Sequence, residues 1–110
     1  MIATITSIEL NGPLKFFALS RGALKIMRQL RTTDCKKFKK QGIWTKHYTM
    51  SLWSNEEEMK AFAYSGAHME VMKSSRDIAK EIRTITIQAS ELPNWKEAKR
   101  LLEGGKVIQY

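Results

Sequence analysis

Cysteine, proline and histidine are scarce in this 110-residue chain: one, two and two respectively. A lone Cys35 excludes an internal disulfide and points to a reducing, cytoplasmic setting. Two isolated histidines, His47 and His68, give no cluster with zinc-ligand spacing. Long apolar runs are missing too, and none approaches the roughly 18–20 residues that span a bilayer. Residues 1–10 alternate apolar and polar without a basic leader, so they read as a strand rather than a secretion signal. Acid is nearly absent from residues 15–46, where Asp34 faces ten Lys and Arg, while the remainder carries nine basic and ten acidic residues. The net charge of +8 is therefore concentrated in one stretch. Such a stretch is either a solvated basic face or a surface for an anionic partner.

What is present describes one ordinary globular domain over residues 1–110. Ile2, Thr4, Thr6 and Ile8 alternate with Ala3, Ile5 and Ser7, which predicts a strand over 2–10. Pro13 suits a first helical position. Phe16, Leu19, Ala23, Ile26, Met27 and Leu30 then recur at three- and four-residue steps, a helix that fades near 32–34. Residues 35–41 read as a lysine-guarded edge strand, with Gly42 as the hairpin turn. The return strand, 43–53, places Tyr48, Met50 and Leu52 on one face and His47, Thr49, Ser51 and Trp53 on the other. Ser54 with Glu57 fits a capping box opening a helix, and a second helical stretch is expected from 67 to about 82. A strand over 83–89, a helix capped at Asn94 and a short terminal strand complete the chain.

This order is α+β, β-α-β-β-α-β, a ferredoxin-like sheet with helices on one face. The other face is expected to be apolar and open, and a second copy of the chain is the economical cover. A dimeric α+β barrel follows.

Trp53, Glu56–Glu58, the run from Met59 to Tyr64, and Ser65-Gly-Ala-His68 resemble the signature stretch of spheroidene monooxygenase-like proteins. They belong to the wider dimeric α+β-barrel superfamily that includes antibiotic-biosynthesis-monooxygenase-like proteins. A weaker likeness runs through Leu92-Pro-Asn-Trp95, Glu97 and Ala98. The resemblance implies a homodimer and a monooxygenase-type activity with haem as cofactor. In haem-degrading relatives the axial histidine lies one turn beyond the serine-containing junction, a position that falls here on Met72. His68, a turn earlier, is then the helical histidine left to ligate iron and the candidate catalytic residue.

Trp53 and Phe62 are candidate walls of an apolar pocket for a flat aromatic ligand, or simply core. Met50, Met59, Met69 and Met72 form a pliable lining for either. Arg21 and Arg28, with Lys25 on the same helical stripe, are candidates to pair with ligand carboxylates. His47 is expected to be exposed or at an interface. RNA-recognition domains share this element order, yet they require a Lys/Arg-Gly-Phe/Tyr-Gly/Ala-Phe-Val-type strand, and no such segment follows Gly42. The reading is a monooxygenase-like protein binding haem or another hydrophobic aromatic ligand. Its alternative is a non-catalytic dimeric binding or regulatory protein.

Overall fold

The computed structural model describes residues 1–12, 15–33, 35–43, 45–64 and 78–109, with the side chains of residues 16–18 and 43 also outside the description. Five strands form one antiparallel sheet in the order β2-β3-β1-β4-β5, where β1 is Ile2–Leu10, β2 Lys37–Ile43, β3 Lys46–Trp53, β4 Ala79–Gln88 and β5 Lys106–Gln109. Helices α1 (Lys15–Leu30), α2 (Glu56–Ala63) and α3 (Trp95–Leu102) complete the described elements. The first four strands and two helices make the expected ferredoxin-like α+β arrangement.

Register decides which residues share a face. Ile2 lies between Trp53 and Gln88, Thr4 between Ser51 and Thr86, and Thr6 between Thr49 and Thr84. On this face Ile2 and Trp53 form a core with Leu30 of α1 and Phe62 of α2, flanked by Ile26, Met27, Cys35, Phe38 and Met59. Gln29 Nε2 donates to the Phe62 carbonyl at 3.2 Å and ties the two helices together. The opposite face carries Ala3, Ile5, Met50, Leu52, Ile85 and Ile87. There Ile5 and Met50 pack against Ala98 and Leu102 of α3.

That second core changes one expectation. The face expected to be open is covered by the chain's own C-terminal helix, and Ala3, Ile5, Met50 and Leu52 are at most 3% exposed. Tyr48, Ile85 and Ile87 on the same face stay half-buried. Met50, expected in the pocket lining with Met59, lies on the far side of the sheet from it.

Local differences have local causes. The Thr32 and Thr33 hydroxyls donate to the Gln29 and Leu30 carbonyls and close α1 where it was expected to fade. Gly42 is not a turn residue; it sits inside β2 opposite His47, and the chain reverses between Ile43 and Lys46. The α2 cap is Asn55, whose side chain accepts from the Glu58 N–H at 2.9 Å, one position later than the Ser54 cap. Asn-x-x-Glu competes here with Ser-x-x-Glu, and the amide oxygen takes the bond. At the last helix the expected Asn94 cap forms, accepting from the Glu97 N–H at 2.8 Å. β4 begins at Ala79, inside the stretch expected to be helical to about 82, because β1 supplies ladder partners as far as Leu10. The rest of that stretch, 67–77, lies outside the described residues.

Candidate functional site

Three strands each carry a hydroxyl–x–hydroxyl pair: Thr4/Thr6 on β1, Thr49/Ser51 on β3 and Thr84/Thr86 on β4. Side chains two apart on a strand share a face, and antiparallel register sets the pairs side by side. The result is a two-by-three grid of hydroxyls on the α1/α2 face. With strands about 4.8 Å apart and same-face residues about 7 Å apart, it covers roughly 10 by 7 Å, the footprint of a small fused-ring molecule. Thr6 and Thr84 Oγ1 lie 3.2 Å apart, as do Thr4 and Thr86 Oγ1. Thr84 also donates to the Ile5 carbonyl at 3.2 Å. Thr86 is exposed and the other five are half-buried, so the floor is open in part to solvent.

The Trp53 end of the floor is walled. Trp53 is 1% exposed, and its ring centroid lies 5.3 Å from that of Phe62, with the planes inclined by 31°. Its indole N–H donates to Ser51 Oγ at 2.9 Å, which anchors the wall to the floor. The single proton of Ser51 is then left to give to another acceptor. On the other side of the floor His47, half-buried, continues the face past Thr49, opposite Gly42 and Ile8. A Cβ on Gly42 would collide with the His47 imidazole, so the glycine is what makes room for the ring.

Trp53 and Phe62 are thus brought together, with Met59 packed beside them. Arg21 and Arg28 are not brought to the floor. Both are exposed on the side of α1 opposite Ile26, Met27 and Leu30, facing solvent with Lys25. His68, Met69 and Met72 lie outside the described residues. Lys36, Lys37, Lys39 and Lys40 are exposed along the β2 edge, as an edge strand requires. Cys35 is half-buried, its thiol directed at the Lys37 and Leu52 carbonyls at 3.2 and 3.6 Å, and burial pushes that thiol up from its ordinary value.

The hydroxyl floor is the feature that residue-by-residue reading passed over. Its signal is present in the sequence as three short alternations, Thr-x-Thr, Thr-x-Ser and Thr-x-Thr, but strand register is needed to show that they adjoin.

Haem sits in an apolar slot closed by a strong axial donor. Among the described residues the floor carries hydroxyls with His47 at its edge, and His68, the expected axial ligand, lies outside them. No described helix is long and apolar enough to cross a membrane.

The fold is shared with solved structures over most of the chain at low sequence identity. A proposed antibiotic biosynthesis monooxygenase of Deinococcus radiodurans superposes with a TM-score of 0.72 at 12% identity, over 86% of this chain and 97% of that one. SnoaB, a cofactor-independent oxygenase of Streptomyces nogalater, gives 0.61 at 10% identity over 83% and 94%. A protein of unknown function from Nitrosomonas europaea gives 0.66 at 12% identity over 84% and 94%. These likenesses establish a monooxygenase-like ferredoxin-type fold. No curated protein matches the chain in sequence. A family model does match, across residues 19–104, and the chain belongs to that family, DUF3291, a domain of unknown function.

Proposed function

We propose that this protein binds a flat aromatic or conjugated small molecule over the hydroxyl floor, against Trp53 and Phe62, as a monooxygenase-like protein. The observation that carries the reading is the grid of six hydroxyls, partly open, on the helix-covered face and closed at one end by an aromatic pair. Buried sheet faces are ordinarily apolar. A sheet face that carries six partly exposed hydroxyls beside an aromatic pair is suited to a ligand with its own polar edge. The likeness to proteins described as monooxygenases supports an oxygenase rather than a transport role.

The test is a titration with β-naphthol and with hemin, following the Trp53 indole N–H in proton–nitrogen spectra, its resonance identified by loss in Trp53→Phe. Binding of β-naphthol at the floor shifts that resonance, and an unmoved resonance with both probes overturns the reading. A Soret shift with hemin that His68→Ala abolishes would identify haem as the ligand. Oxygen uptake by the ligand-loaded protein separates an oxygenase from a non-catalytic binder.

A homodimer belongs to the same reading, and the exposed edge strand β5 offers it a second contact beside the sheet faces. β5 is an edge strand on which Val107 and Ile108 are 40% and 41% exposed, on opposite faces, whereas the other edge is guarded by lysines. Sedimentation equilibrium returning about the 12.7 kDa of one chain would remove it.

A further inference from the structure

We infer that the floor selects a ligand that donates a hydrogen bond from a phenolic or enolic O–H, and that Thr84 is the positioning residue that sets this preference. The inference rests on the pocket reading above and names its ligand chemistry. A threonine hydroxyl has one proton and two lone pairs. Thr84 Oγ1 commits its proton to the Ile5 carbonyl at 3.2 Å. Geometry alone allows either oxygen to donate in the 3.2 Å contact between Thr84 and Thr6; with the Thr84 proton on Ile5, it is Thr6 that gives. The proton of Thr6 is spent on Thr84 in turn, so Thr6 offers the cleft its lone pairs. The direction of the whole pair is thus fixed by one backbone carbonyl on the neighbouring strand.

Two consequences follow from that direction. A ligand hydroxyl placed at Thr6 finds an acceptor and is bound as the donor. A methyl ether or a carbonyl in the same place sets lone pair against lone pair and loses the bond. Thr6 accepts nothing from Thr84, so both of its lone pairs remain for a ligand donor. The worth of one neutral hydrogen bond is about a five- to tenfold change in affinity.

The experiment compares β-naphthol with its methyl ether, read by the Trp53 indole resonance. Wild type is expected to bind the naphthol about five- to tenfold more tightly. Thr84→Val removes the relay to Ile5 and frees the Thr6 proton, so the preference collapses, while Thr84→Ser keeps it. Thr6→Val weakens the naphthol and leaves the ether unchanged, which decides the matter even where Thr84→Val does not fold. Equal affinities in wild type, or a preference that survives Thr6→Val, would overturn the inference. Silence from both probes is a different result, because it removes the pocket itself.

Discussion

The imidazole of His47 occupies the space that a side chain at Gly42 would fill. The two residues are paired across β2 and β3, and the ring lies on the same face as Thr49, Ser51 and Trp53. Gly42→Ala is therefore expected to displace the imidazole without abolishing the fold, since the clash is with a side chain that can rotate. The His47 ring resonances should move in Gly42→Ala. A melting midpoint equal in the double variant Gly42→Ala/His47→Ala and in His47→Ala would show that the ring is what the methyl meets.

The cap of α2 gives a sharper test. Asn55→Ala removes the acceptor for the Glu58 N–H and should cost about 0.5–2 kcal/mol. Ser54→Ala, one residue earlier on an exposed position, should leave the thermal midpoint nearly unchanged. The opposite ranking in chemical denaturation would place the helix start at Ser54.

α3 covers part of the apolar face that a second copy was expected to cover. Leu102 is 3% exposed and packs with Ile5 and Met50, while Trp95 and Lys99 approach Tyr48 at 6.4 and 4.8 Å from its ring. Leu102→Ala should destabilise the protein by about 2–5 kcal/mol and increase binding of a hydrophobic dye. Stability and dye binding unchanged from wild type would mean that α3 is not the cover.

Cys35 supplies a pH dependence with a definite sign. Burial favours its neutral thiol, so the folded-state pKa lies above that of the unfolded chain, about 8.5. On raising pH the unfolded state loses its proton first, and this contribution to stability, full below about 8.5, is lost as pH climbs through the folded value. Cys35→Ala should flatten the fall in stability on the alkaline side, measured by denaturant midpoints. Alkylation of the native thiol by iodoacetamide should also be slower than that of a free thiol at the same pH.

Much of this molecule is written in its sequence. The alternation at residues 2–10 sorts Ile2, Thr4 and Thr6 from Ala3 and Ile5 without ambiguity, because period two leaves no other arrangement. The apolar stripe Ile26, Met27 and Leu30 fixes which side of α1 is buried, and with it the solvent position of Arg21 and Arg28. Asn94 and Glu97 define the last helix start by local chemistry alone. Other features wait for tertiary structure. Whether Ser54 or Asn55 caps α2 is decided by a chain direction that adjoining equal motifs cannot specify. Ala79 to Ile82 join a strand because β1 offers hydrogen-bond partners there, and a ladder overrides a weak local helical pattern. The C-terminal helix lands on the far face of the sheet because Ile5 and Met50 need cover, a demand that belongs to the assembled sheet. The hydroxyl floor is decided the same way. Its six residues come from three strands separated by dozens of positions, and only register brings Thr6 to Thr84 and Thr4 to Thr86.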